Sequence, residues 1–120
     1  MPKLVAIEPG FYRIPLPEVL TDSTHGEMRA FELNTVRLRD ADGAEGVGYT
    51  YTVGRNGAAI DAVLRHEFVE LMAGEEADEI ERLWLKAWWA THYGGRGGPT
   101  VLALSAFDIA LWDLKANRAR

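Results

Sequence analysis

Two polar segments of this 120-residue sequence hold the side chains best suited to bind a small ligand. The first spans residues 21–29 (TDSTHGEMR) and the second spans residues 50–56 (TYTVGRN). Together they offer carboxylate, imidazole, hydroxyl and guanidinium groups, which suit a polyhydroxylated acid. Each segment alone is more often a solvated loop than a site. The pair therefore predicts a polar ligand edge without assigning a reaction to it.

A glycine-rich segment, HYGGRGG at residues 92–98, precedes the last helical pattern. Backbone amides at the start of a helix attract anions, because they point outward and share the positive end of the helix dipole. The segment lacks the Lys-Ser/Thr pair of a nucleotide-binding loop. A flexible joint and a contact between Arg96 and a small acid remain as alternatives.

No catalytic group stands out elsewhere. Ser105 lacks the flanking glycines of a nucleophile elbow, and no histidine can be assigned as its base. Asp108 and Asp113 lie five residues apart on one helix, an offset of roughly 140°, so they do not converge as a carboxylate pair. We expect them to bond whatever covers that helix.

Composition excludes several classes of protein. The formal net charge is -5, and there is no cluster of lysine and arginine, which argues against nucleic acid and against an anionic membrane surface. No apolar run reaches about 18 residues, so a membrane span is not predicted. The absence of cysteine excludes disulfides and fits a reducing compartment. We expect a cytoplasmic protein.

The elements that position these residues follow from periodicity. Strands are predicted over 4–14, 30–39 and 46–53, with a bulge or an edge position at Pro9-Gly10 and an Asp-Gly turn before the third strand. Three strands joined by loops predict an antiparallel meander. In the third strand, Tyr51 shares its parity with Val47, which we interpret as a core residue. Gly46 and Gly48 in that strand indicate close packing against another backbone.

Helical spacing of apolar residues then predicts helices over 57–73, 76–90 and 99–118. The last helix begins at Pro99. Its apolar residues surround the axis, so we expect other elements to pack against it on nearly every side. Trp112 is predicted to be a core residue. Strands followed by helices, segregated rather than alternating, indicate an α+β domain. This apolar helix lies at the end of the sequence, and the rest of the chain offers too little to cover it. We therefore expect the chain to be part of a larger protein.

Two of these segments also carry a family resemblance. The hairpin DGAEGVGYTYT at 42–52 and the helix SAFDIALWDLK at 105–115 resemble the N-terminal capping domain of the mandelate racemase and muconate lactonizing branch of the enolase superfamily. The resemblance covers essentially the whole chain. Within the family, HYGGRGG points toward acid-sugar enzymes, such as the 3,6-anhydro-L-galactonate cycloisomerases and, less closely, the galactarate and talarate dehydratases.

The resemblance implies a division of labour. A capping domain closes over a (β/α) barrel that is absent from this chain. Barrel carboxylates bind Mg2+, and a barrel base removes the proton α to the substrate carboxylate. This chain would supply no catalytic or metal-binding residue and would be inactive alone. Its implied substrate contacts are Asp22, His25, Tyr51 and Arg96, and its implied partners are an acid-sugar carboxylate, its own C-terminal barrel and further copies in a homo-oligomer.

A free-standing binding module is the alternative. Such a module would use the same polar segments for a small acid, or a helix surface for a partner protein, and would be a monodisperse monomer. The capping-domain interpretation instead predicts association through Leu102, Phe107 and Trp112, because large exposed apolar patches seek cover.

Overall fold

The computed structural model describes residues 2–120, which form one antiparallel sheet covered by helices on one face. The sheet order is β1-β2-β3, with neighbouring strands antiparallel. The strands are β1 (Leu4–Asp22), β2 (Gly26–Asp40) and β3 (Glu45–Thr52). This arrangement confirms the predicted meander and the α+β class.

Three long helical elements follow the sheet. Helix α1 begins as Gly57–Val63, continues through a π-helical turn at Leu64–Phe68 and ends as Val69–Met72. The next elements are α2 (Ile80–Ala90), a 3-10 turn (His92–Gly94) and α3 (Pro99–Arg118). Gly98 adopts φ +70° immediately before Pro99, which occupies the first turn of α3. Among residues 2–120, no helix has the length and apolar character needed to cross a membrane.

The first strand is longer than predicted. It continues through Pro15 and Pro17, because β1 is an edge strand, where a residue without an N–H can be tolerated. Of the two alternatives for Pro9-Gly10, the edge position is correct, because β1 lies at the edge of the sheet and its pairing with β2 is regular across Pro9. The pairing shifts between Pro15 and Leu20. Most of the predicted loop at 21–29 is paired hairpin, and only residues 23–25 form the turn.

The third strand presents the opposite face to the one predicted. Gly46, Gly48 and Thr50 point into the core, whereas Val47 is 45% exposed and Tyr51 is 54% exposed. A Cβ on Gly48 would lie 2.0 Å from the backbone oxygen of Ala106 in α3. The backbone of α3 therefore packs directly on β3, as the two glycines had indicated. The interpretation of Val47 as a core residue is wrong.

The hydrophobic core lies between the sheet and the three helices. Phe68 of α1 and Phe107 of α3 meet edge to face, with ring centroids 5.8 Å apart. This geometry is favourable for aromatic pairs and adds to the burial of apolar area. Other fully buried side chains include Leu4, Val36, Leu38, Ile60, Leu64, Met72, Leu83, Leu111 and Leu114.

Helix α3 is buried on one side only. Phe107 is buried in the core, so its predicted role as an exposed association residue is wrong. Trp112, predicted to be a core residue, is instead 50% exposed, and Ile109 is also exposed. Leu85 and Trp89 of α2 are exposed as well. The outer surface of α2 and α3 therefore carries exposed apolar residues, as does the uncovered face of the sheet.

Helix α2 begins four residues later than predicted. The acidic residues before it belong to a connection that is bonded to the start of β1: the N–H of Leu4 donates to the backbone oxygen of Glu75 at 2.9 Å, and Lys3 forms an isolated bridge with Glu76. The Glu75 side chain also binds Lys86 at 3.0 Å. These bonds hold the segment in an extended form that cannot continue a helix.

An arginine at the end of α3 ties three segments together. Arg118 lies 3.3 Å from Asp40, 3.1 Å from Asp78 and 3.9 Å from Asp42. The first carboxylate also accepts backbone N–H groups of Asp42 and Ala44, which shapes the turn between β2 and β3. The end of α3, the β2–β3 turn and the connection before α2 are therefore held by one guanidinium.

Candidate functional site

An open cleft of about 750 Å³ lies where the β1–β2 turn, the end of β3 and the start of α3 meet. Its lining brings together the two polar segments singled out in the sequence. The lining residues are His25, Thr50, Tyr51, Thr52, Val53, Arg55, Asn56, Gly98, Pro99 and Leu102. Two predicted site residues, His25 and Tyr51, thus face the same space. Asp22 is not part of the lining but is bonded to His25, and Arg96 is not part of the lining either.

The β1–β2 turn is held together by Asp22. One carboxylate oxygen, Oδ1, accepts the N–H of Thr24 at 2.9 Å and the N–H of His25, and the other, Oδ2, lies 2.9 Å from His25 Nδ1. The pKa of the Asp22 carboxyl is lowered, first by the backbone hydrogen bond from His25 and then by the bond to its ring. A lowered pKa keeps this group ionised at neutral pH.

The loop after β3 is anchored to β2 by two polar side chains. Glu32 Oε1 accepts the hydroxyl of Thr52 at 2.9 Å and the N–H of Gly57 at 3.1 Å. Asn34, which is buried, donates its Nδ2 to the backbone oxygen of Gly57 at 3.0 Å. Both ends of the 53–56 loop are therefore fixed, and the loop holds Arg55 at the cleft.

Sequence reasoning missed these two anchors, although a signal was present. Asn34 has the same parity as Val36 and Leu38, both fully buried, so it stands on the core face of β2. A polar residue at such a position needs a partner, because an unpaired buried polar group is costly. That requirement could have identified Asn34 as a structural contact, but not the loop that it holds.

Tyr51 forms an aromatic wall of the cleft. Its ring stacks on Phe31 of the neighbouring strand, with centroids 5.5 Å apart and an interplanar angle of 25°. The pair lies on the sheet face that the helices leave uncovered. A supported, half-exposed tyrosine can offer both a flat apolar surface and a hydroxyl to a ligand.

The charge of the cleft differs from that of the whole chain. The net charge of the protein is -5, yet the lining includes an arginine and a histidine and no carboxylate. Within residues 2–120, Arg55 forms no ion pair. The start of α3 also contributes the positive end of a 20-residue helix. The lining is therefore more positive than the chain as a whole.

The residues of the cleft do not form a metal site. The hydroxyl of Thr52 in the lining is bonded to the carboxylate of Glu32, which also accepts the N–H of Gly57 and so anchors the loop. Across residues 2–120, no three histidine, aspartate or glutamate side chains converge in a way that could hold a metal ion. Magnesium prefers oxygen ligands that include carboxylates, and the cleft offers none. The residues present do not fit a magnesium site.

Most of the glycine-rich segment lies outside the cleft. After the 3-10 turn, Gly95 takes φ +101°, and Thr100 donates its hydroxyl to the backbone oxygen of Gly94 at 3.4 Å. Arg96 is exposed on this connection. Only the last residue of the segment, Gly98, reaches the lining.

Comparisons with known proteins show which proteins this chain resembles in sequence and fold. The family model "Mandelate racemase / muconate lactonizing enzyme, N-terminal domain" matches residues 13–120. A 3,6-anhydro-alpha-L-galactonate cycloisomerase from Streptomyces coelicolor is 56% identical over 109 residues, which is 91% of this chain and 30% of the relative. An L-talarate/galactarate dehydratase from Salmonella typhimurium is 42% identical over 82 residues, 68% of this chain and 20% of the relative.

Solved structures agree with the sequence comparisons. A racemase from Streptomyces coelicolor with bound magnesium has a TM-score of 0.95 and 52% identity, covering 98% of this chain and 33% of that one. An L-talarate dehydratase from Polaromonas, complexed with Mg and L-glucarate, has a TM-score of 0.90 and 29% identity, covering 99% of this chain and 33% of that one. The chain thus spans about a third of the length of these relatives.

Proposed function

Because this chain belongs to the mandelate racemase and muconate lactonizing enzyme family, as its N-terminal domain, we propose that it caps the active site of a magnesium-dependent acid-sugar cycloisomerase or dehydratase. In this proposal the reaction begins with removal of the proton α to a carboxylate. The metal and the base come from the part of the enzyme outside residues 2–120. The described residues bind and orient the substrate and exclude water, and residues 1–120 alone turn over nothing.

The observation that carries the proposal is the cleft with cationic lining and no carboxylate in an otherwise acidic chain. Arg55 can bind a carboxylate of the substrate through its guanidinium. The hydroxyl group of Tyr51 and the imidazole of His25 suit the hydroxyl groups of a sugar acid. Tyr51 also offers the flat surface on which carbon–hydrogen faces of a sugar can rest.

A ligand titration tests this proposal directly. The 15N-labelled chain is titrated with galactonate, and amide resonances of residues 50–56 and of the β1–β2 turn are followed by NMR. We expect saturable shifts with galactonate and none with galactitol, the neutral polyol. Arg55→Gln should abolish the shifts. Arg96→Gln is the matched control, because Arg96 is exposed but lies outside the cleft. Equal responses to galactonate and galactitol would refute an acid site.

The exposed apolar surface on α2 and α3 favours a second candidate, a protein-interaction module. That surface includes Leu85, Trp89, Ile109 and Trp112. Under the capping proposal it is covered by the barrel of the same enzyme or by another copy. Native mass spectrometry of material from its own source separates the two. Association with a polypeptide of about 250 residues, typical of a (β/α) barrel, supports the cap. A complex with an unrelated protein supports the module.

A further inference from the structure

Both carboxylate oxygens of Asp22 are engaged by its own turn. Oδ1 accepts two backbone N–H groups of its own turn, and Oδ2 is directed to the ring of His25 at 2.9 Å. An ionised carboxylate can only accept hydrogen bonds. The proton between Oδ2 and Nδ1 must therefore be on Nδ1. This fixes which nitrogen of a neutral ring carries hydrogen.

We propose that Asp22 is a positioning residue that locks His25 in its Nδ1–H form, so that Nε2 serves the cleft as an acceptor for a ligand hydroxyl. The inference rests on the proposed function for the identity of the ligand but not for the state of the ring. In a neutral imidazole one nitrogen donates and the other accepts, and the partner of the first decides the role of the second. An unconstrained imidazole in water prefers the opposite form.

The consequence is a division of roles inside the cleft. Arg55 offers only donors, which suit a carboxylate. A neutral His25 with a bare Nε2 repels the oxygen lone pairs of a carboxylate but accepts the hydrogen of an alcohol. The two residues together therefore select an acid that also carries a hydroxyl group over an acid that carries none.

Nitrogen NMR tests the state of the ring without any ligand. The chain is labelled with 15N-histidine, and long-range 1H–15N spectra are recorded at a pH where the His25 ring is neutral. His25 is distinguished from the other two histidines, His66 and His92, by a His25→Gln variant. We expect a protonated Nδ1 and an unprotonated Nε2. A protonated Nε2 in the wild-type chain would overturn the proposal.

Two variants test the cause. Asp22→Asn should change which nitrogen of the neutral His25 ring is protonated. The amide group can donate a hydrogen bond to Nδ1, so the proton moves to Nε2. Glu27→Gln is the matched control, since it neutralises a carboxylate of the same hairpin that binds Arg29 at 2.6 Å and does not contact His25. If Nδ1 of His25 stays protonated in Asp22→Asn while the hairpin is intact, the proposed role of Asp22 is contradicted. The wild-type spectrum decides the state of the ring even where Asp22→Asn disturbs the hairpin.

A ligand series separates this proposal from the proposed function. Galactonate should shift both the guanidinium Nε of Arg55 and the Nε2 of His25. Hexanoate, an acid without hydroxyl groups, should shift only Arg55. A shift of Arg55 by galactonate with no change at His25 Nε2 would refute the hydroxyl contact alone. If Arg55 responds to neither acid, the proposed function is refuted. The Nδ1–H form of His25 is tested separately, by the spectrum recorded without ligand.

Discussion

Removal of the Arg118 side chain tests whether one guanidinium holds together the end of α3, the β2–β3 turn and the connection before α2. The carboxylate of Asp40 is fully buried, and its Oδ2 accepts no hydrogen bond, so it relies on Arg118 at 3.3 Å for compensation of its charge. Arg118→Ala leaves that charge in the interior. The bonds to Asp78, at 3.1 Å and 3.2 Å, are lost at the same time.

The expected cost lies between two limits. Removing one partner of a fully buried ion pair costs about 3–5 kcal/mol, whereas an exposed pair contributes about 0–1 kcal/mol. The Asp40 side chain is 0% exposed and that of Arg118 is 25% exposed, so water can partly replace the guanidinium. Two backbone hydrogen bonds to Asp40 Oδ1 also survive the change. We therefore expect Arg118→Ala to lower the free energy of unfolding by about 2–3 kcal/mol.

Urea denaturation followed by circular dichroism measures this change. Arg120→Ala is the matched control, because this exposed arginine forms no ion pair within residues 2–120, and its removal should change stability by less than about 0.5 kcal/mol. The cost of Arg118→Ala should also shrink in an Asp40→Asn background, where no buried charge is left behind. An equal cost in both backgrounds would refute the argument from charge burial.

Two further predictions concern α3. Gly48→Ala should lower the melting temperature strongly, because its Cβ would lie 2.0 Å from the Ala106 oxygen and 2.5 Å from the Ala110 nitrogen. Gly97→Ala is the control and should leave the melting temperature nearly unchanged, because no atom lies within 4 Å of its added Cβ. Similar losses in both variants would contradict direct backbone packing. Burial raises the pKa of Asp108 above 3.8, so its contribution to stability is full below that value and is lost as pH rises through the folded pKa. Asp108→Asn should therefore raise the melting temperature at pH 7 more than at pH 3, and an equal effect at both would be inconsistent with this sign.

The fold was largely predictable because two signals agreed. Apolar residues at strand spacing in the first part of the sequence indicated the meander, and apolar residues at helical spacing after it indicated the helical layer. Both are present. The face of β3 was not predictable from apolar alternation. Its core positions are Gly46 and Gly48, which have no side chain to reveal burial, while Tyr51 points outward. The length of β1 was missed because Pro15 and Pro17 read as stops, although an edge strand tolerates them.

The candidate site was predictable as two segments but not as a set of residues. Both segments line one cleft, and His25 and Tyr51 face it together. Arg96 was favoured because it lies among glycines before a helix, yet Arg55 is the arginine in the lining. The anchors Glu32 and Asn34 bond residues 20 to 25 positions away, and no local pattern reports contacts of that span. The roles of His25 and Tyr51 in binding remain predictions.

The direct contact between β3 and α3 has a mechanical consequence. Without a layer of side chains between Gly48 and Ala106, strand and helix cannot slide, and they act as a single plate. Two walls of the cleft, the end of β3 and the start of α3, belong to that plate. His25 stands at the tip of a hairpin whose outer part is exposed and whose pairing shifts between Pro15 and Leu20. One side of the cleft is therefore built on backbone in direct contact, whereas the other side is built on an exposed hairpin that lacks such backing.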